Sequence, residues 1–167
     1  MSRLKEWVTE VPDFPKPGIL FRDIAPLLRH HFDATVSELD TLVGDLWTEI
    51  DAVAGIESRG FILGAALAAR QAKGFIPIRK QGKLPPPVVD VAYALEYGTG
   101  VLEMQHGQGR VLLVDDVLAT GGTLRGAADL CVAAGFSVVG MAVLIDLRLG
   151  PDFVWRSLPA RAVIHYG

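Results

Sequence analysis

The sequence predicts an α/β domain with a mostly parallel central sheet flanked by helices. Three observations predict it. From residue 33 onward, short apolar runs alternate with segments of helical period. Those runs are continuous rather than alternating, as strands covered on both faces require. One of them, Val111–Val114, ends in two adjacent carboxylates, then a small-residue loop, then a helix. Ligands of open α/β sheets bind at that carboxyl edge.

Size and charge narrow the classes. The chain has 167 residues, 50% apolar and 21% charged, which fits one domain spanning 1–167 with a substantial core. Its net charge of −3 leaves no basic field, so no nucleic-acid partner is expected. The longest uncharged run, Leu130 to Ile145, contains Gly135, Ser137 and Gly140. It falls short of the ~20 residues a membrane helix needs, so no membrane partner is expected. The charged N-terminus lacks an apolar signal region, and the single cysteine, Cys131, excludes an internal disulfide. Both favour a cytoplasmic setting.

The elements follow in order. Ser2 to Val11 reads as a short helix ended by Pro12, Pro15 and Pro17. Val36, Leu39, Leu42, Val43, Leu46, Trp47 and Ile50 form one face of a long helix from Asp33 to Ile50, with Asp33 at its N-cap. Ala52–Ile56 reads as a buried strand, Phe61–Lys73 as a helix closed by Gly74, and Phe75–Ile78 as a second strand. Residues 81–109 form a proline-rich loop and an antiparallel hairpin, Val88–Tyr97 with Val101–Gln105 around Gly98-Thr99-Gly100. A long projecting element of this kind suits a mobile lid. Arg110–Val114 is the third strand and Thr123–Ala134 the next helix, with Gly135 at its C′ position. Val138–Ile145 and Ala162–Tyr166 complete the sheet.

Chemistry concentrates in Val111–Thr123. Asp115 and Asp116 end the strand, Ala119-Thr120-Gly121-Gly122 brings the backbone close to a ligand, and the helix start offers N–H groups to a phosphate. Strand alternation sends Asp115 and Asp116 to opposite sides, which argues against two ligands for one metal. Ionised carboxylates accept strong hydrogen bonds from hydroxyls, so the string suits a sugar phosphate. No Lys follows Gly122, and the loop lacks Gly-x-Gly-x-x-Gly, so Walker A and dinucleotide loops are excluded. His30, His31, His106 and His165 show no metal spacing.

This string resembles the phosphoribosyl-pyrophosphate (PRPP) motif of type I phosphoribosyltransferases. Phe14–Ile24, Glu57–Phe61, Ile78–Pro85 and Leu95–Gly98 resemble, in order, segments of the adenine phosphoribosyltransferases. The resemblance covers nearly the whole chain. The tail after Leu149 is weakly matched, and Leu84-Pro85-Pro86-Pro87 is richer in proline than the family pattern.

The resemblance implies the type I phosphoribosyltransferase fold, with a small N-terminal hood (12–28) and a flexible loop (81–109). It implies transfer of phosphoribosyl from PRPP to adenine, giving AMP and pyrophosphate, with Mg²⁺ held mainly by PRPP rather than by protein ligands. It also implies a homodimer. Asp115 and Asp116 would hold the ribose hydroxyls, and Ala119, Thr120, Gly121, Gly122 and Thr123 the 5′-phosphate. Ser58, Arg59, Arg79 and Lys83 would meet pyrophosphate, with Arg79 and Lys83 able to reach from a neighbouring subunit. Leu20, Phe21, Arg22 and Val117 would surround adenine, whereas pattern alone reads Phe21 and Ile24 as core and Arg22 as a solvated charge. Glu96 and Tyr97 would lie on the lid, Glu96 acting as general acid/base and Arg59 stabilising the leaving group. A non-proline cis peptide is implied at Glu57–Ser58. A transferase for another base and a non-catalytic PRPP-sensing regulator are the alternatives.

Overall fold

The structure is a computed structural model describing residues 2–95 and 98–167. Its strands are β1 (Thr9–Pro12), β2 (Leu20–Asp23), β3 (Ala52–Ile56), β4 (Gly74–Lys80), β5 (Val88–Ala94), β6 (Thr99–Gln105), β7 (Gly109–Leu118), β8 (Phe136–Asp146), β9 (Val154–Trp155) and β10 (Leu158–His165). Its α-helices are α1 (Ala25–His30), α2 (Phe32–Val43), α3 (Arg59–Arg70) and α4 (Gly122–Ala133). The main sheet runs β5-β6-β4-β3-β7-β8-β10-β9. Its centre, β4-β3-β7-β8-β10, is parallel, and both edges are antiparallel.

The continuous apolar runs are explained by cover on both faces. Side chains of β7 alternate between two cores: Leu112 and Val114 pack with Leu39, Leu63 and Leu67 of α2 and α3, while Val111 and Leu113 pack with Ala127, Ala128 and Cys131 of α4. Cys131 is fully buried, and burial pushes its thiol up to about 12.

Several boundaries differ from the sequence expectation. Ser2–Val11 is a 3-10 helix over Arg3–Trp7 followed by β1, which pairs with β2 in a separate two-stranded sheet. The long helix breaks at Gly44 (φ +57°), so α2 stops at Val43 and a 3-10 helix continues over Gly44–Glu49. His31, not Asp33, occupies its N-cap. Helix α3 ends at a Gln71 cap, and Gly74 opens β4 instead of closing the helix. The hairpin does not stand clear of the domain. Strand β6 joins β4 through Arg79 and Lys80, and Tyr93 of β5 packs with Leu124 and Ala127 of α4. The weakly matched tail supplies β9 and β10, which extend the sheet beside β8.

Candidate active site

Strand β7 carries Asp115 and Asp116 as its own residues and runs on to Leu118. The alternation expected to separate the two carboxylates does not do so. The Asp116 N–H donates to Asp115 Oδ1 at 2.8 Å, folding that carboxylate back along the chain, and both acids line one cavity. Burial raises the Asp115 pKa well above its ordinary value, and the Asp116 charge raises it further.

Beyond Leu118 the loop turns on Gly121, whose φ of +88° suits glycine and whose Cβ would lie 2.5 Å from the Phe153 ring. A side chain at Gly122 would run into the Ala94 carbonyl. No side chain caps α4, so the amides of its first turn are left to the small cavity lined by Ala119–Leu124. Val117 lines the same cavity and leans on the α2–α3 core.

The second half of the site comes from the β3–α3 connection. The Glu57–Ser58 peptide is cis, as the resemblance implies. Arg59 opens α3 and places Nε 2.7 Å from Asp116 Oδ2, with its guanidinium 5.1 Å from the Phe21 ring. Phe21 in turn meets Phe14 edge-on at 5.2 Å. Gly60 gives Asp115 room, since a Cβ there would lie 3.0 Å from Asp115 Oδ1. A cavity of about 320 Å³ collects Glu57, Ser58, Arg59, Asp115, Asp116 and Thr123.

Glu57 organises the basic residues around this cavity. It accepts from Lys80 N–H at 2.5 Å and from Lys83 Nζ at 2.6 Å, and Arg79 Nε lies 3.6 Å away. Burial works against its charge, but the bonds from Lys83 and the Lys80 backbone outweigh that and lower its pKa. Among the described residues, no group of three or more His, Cys, Asp or Glu is placed to hold a metal.

The phosphoribosyl transferase domain family matches residues 37–154. The adenine phosphoribosyltransferase of Bdellovibrio bacteriovorus is 50% identical over 163 residues, covering 98% of this chain and 99% of that protein. The crystal structure of the Rhodothermus marinus adenine phosphoribosyltransferase superposes with a TM-score of 0.86 at 44% identity, over 97% of this chain and 96% of that one. The Saccharomyces cerevisiae adenine phosphoribosyltransferase, complexed with an imino-altritol bisphosphate and adenine, matches with a TM-score of 0.83 at 31% identity, over 96% and 95% of the two chains. The chain belongs to the adenine phosphoribosyltransferase family.

The structure brings together only part of the residues that resemblance to the adenine phosphoribosyltransferases singles out. Asp115, Asp116, Ser58, Arg59 and Thr123 line one cavity, and Ala119–Thr123 line the loop cavity beside it. Phe21 joins them through Arg59. Arg22 turns the other way on β2: its guanidinium lies 4.3 Å from the Tyr166 ring and pairs with Glu10 at 3.3 Å. It is therefore packed rather than solvated, with its guanidinium directed to Tyr166 and Glu10. Ile24 is fully buried, in keeping with its apolar pattern. Glu96 and Tyr97 lie outside the described residues. Glu57 was legible only as part of a matched segment. Its adjacency to Ser58-Arg59 was visible, but its grip on Lys80 and Lys83 depends on β3–β4 pairing.

Proposed function

We propose that this chain transfers the phosphoribosyl group of PRPP to adenine, releasing AMP and pyrophosphate, as a purine-salvage enzyme. The observation that carries the reading is the single cavity joining Asp115 and Asp116 to Ser58, Arg59 and Thr123. It suits a ligand with a diol in the middle and phosphate groups at both ends.

In this reading the Asp115–Asp116 edge accepts the ribose hydroxyls, and the uncapped α4 start takes the 5′-phosphate through backbone amides. The helix dipole contributes roughly 0.3–2 kcal/mol, so directed hydrogen bonds supply most of the hold. Ser58 and Arg59 receive pyrophosphate, with Lys83 and Arg79 near Glu57 completing the positive end. Lys83 does not line the cavity itself but pairs with Glu57, a cavity-lining residue of its own chain, which supports a role in cis. Adenine lies between Val117 and Phe21, and backbone groups of Leu20 and Arg22 read its edge. The adenine-bound yeast relative supports the base assignment.

The anomeric carbon gains oxocarbenium character as its bond to pyrophosphate breaks and a ring nitrogen of the base bonds to it. Glu96 handles the purine proton. Alignment and neutralisation of the leaving group supply most of the acceleration. The available carboxylates suit Mg²⁺ carried on PRPP, because Asp116 and Glu57 are already matched by Arg59 and Lys83. The ion would lie beside the Asp115–Asp116 edge, with Asp115 the acid not already paired with a cation, and would supply charge neutralisation at pyrophosphate. The reading includes a homodimer, as the resemblance implies, and a cytoplasmic setting, in keeping with the free, buried Cys131.

The direct test is AMP formation from PRPP, Mg²⁺ and adenine, with guanine, hypoxanthine and orotate supplied in turn. Turnover with another base in preference to adenine overturns the base assignment. Binding of PRPP without turnover of any base overturns the enzyme assignment.

A further inference from the structure

Glu103 sits in β6, outside every residue assigned to substrate above, and is only 3% exposed. Its carboxylate is enclosed by three consecutive backbone donors. Oε2 accepts from Gly82 N–H at 3.0 Å, and Oε1 accepts from Lys83 N–H at 2.8 Å and Leu84 N–H at 2.7 Å. Arg79 is its cross-strand partner in β4, and Asp90 its partner in β5. The bonds from Gly82 and Leu84 lower its pKa against the effect of burial, so the group is an anion that the turn folds around.

The turn has one charged side chain, Lys83, and it pairs with Glu57 in the cavity wall. Lys83 Nζ lies 2.6 Å from Glu57 Oε2, and Glu57 precedes Ser58 and Arg59. Gly82, at φ +86°, has nothing within 4 Å of the position a Cβ would take, so packing does not fix the tip of the turn. An ammonium on a four-carbon stem is a mobile charge, so its aim depends on where its backbone is anchored.

We propose that Glu103 is a positioning residue that anchors the Gly82–Leu84 turn so that Lys83 is presented to the pyrophosphate end of PRPP. The inference rests on the proposed role of Lys83. AMP carries no pyrophosphate, so a positioning role separates PRPP binding from AMP binding. A role in general stability weakens both.

The experiment measures PRPP KM, adenine KM and AMP affinity for Glu103→Gln, Lys83→Met and the double variant. Glu103→Gln preserves shape but turns amide hydrogens or an uncharged oxygen toward three donors. The expected result is a PRPP KM raised roughly tenfold by loss of charge-assisted bonds, AMP affinity within about twofold of the parent, and no further rise when Glu103→Gln is added to Lys83→Met. Fully additive effects, or equal losses for PRPP and AMP, overturn the proposal. A normal PRPP KM in Glu103→Gln beside a raised one in Lys83→Met overturns the positioning role alone. A normal PRPP KM in Lys83→Met overturns the Lys83 assignment and the positioning role with it. Gly82→Val strains the same turn at its φ of +86° and leaves the Glu103 side chain itself unchanged. It carries the test if Glu103→Gln does not fold, with the same PRPP-selective loss expected and its absence overturning the proposal.

Discussion

Arg59 Nε lies 2.7 Å from Asp116 Oδ2, so the cation at the start of α3 and the second acid of β7 are one ion pair across the cavity. Each half of the site neutralises the other before any ligand arrives. The acid side chain is 11% exposed and the arginine 31%, so the pair is partly shielded from water.

Asp116→Asn tests the acid. The change keeps shape but removes the charge that would accept ribose hydroxyls, weakening bonds worth roughly 1.5–3 kcal/mol each. The expected outcome is a fall of roughly 10- to 100-fold in kcat/KM for PRPP, with a native circular dichroism spectrum. Unchanged PRPP kinetics in the folded variant would remove Asp116 from the site.

Arg59→Lys tests geometry rather than charge. A lysine keeps the cation but loses the planar guanidinium that pairs with Asp116 and stands 5.1 Å from Phe21. Because Arg59 touches both the acid strand and the hood, both PRPP and adenine KM values should rise. A rise confined to PRPP would show that Phe21 does not depend on Arg59.

Glu96→Gln tests the acid/base assignment. If Glu96 acts on the base in the transition state, kcat and kcat/KM fall together. A change in adenine KM alone would assign Glu96 to ground-state binding instead.

Asp115 predicts a pH dependence of stability. Burial and Asp116 raise its pKa well above 3.8, so the native state binds this proton more tightly than the unfolded chain. Stability from this group is therefore complete below the ordinary value and is lost as pH rises toward the raised one. Glu57 and Glu103, lowered from 4.5, act in the opposite sense and lose their contribution as pH falls. Urea unfolding across pH should show a contribution that falls as pH rises above the ordinary carboxylate range, and Asp115→Asn should remove that contribution while impairing activity. An unaltered slope in Asp115→Asn would place the titration elsewhere.

Gly126→Ala tests how the hairpin is held. A Cβ at Gly126 on α4 would collide with Tyr93 of β5. Overpacking of this kind costs about 1–3 kcal/mol. Chemical denaturation should register that loss, and an unchanged midpoint would mean that the hairpin yields without resistance.

The sequence by itself determined what is local along the chain. Strand, acid pair, glycine turn and helix start are contiguous from Val111 to Thr123, so hydrophobic run length, turn chemistry and helix period found them, although β7 runs on to Leu118 and both acids line one cavity. The same logic found β3, β4 and the β5–β6 hairpin. It overran α2, because apolar spacing continues past Gly44 while the backbone, at φ +57°, does not. Only the tertiary structure decided which distant groups meet: Arg59 with Asp116, Phe21 with Arg59, Glu57 with Lys83, and Glu103 with the Gly82–Leu84 turn. Those pairings follow from strand order and register. Periodicity records which face a residue takes but not which neighbour that face will find.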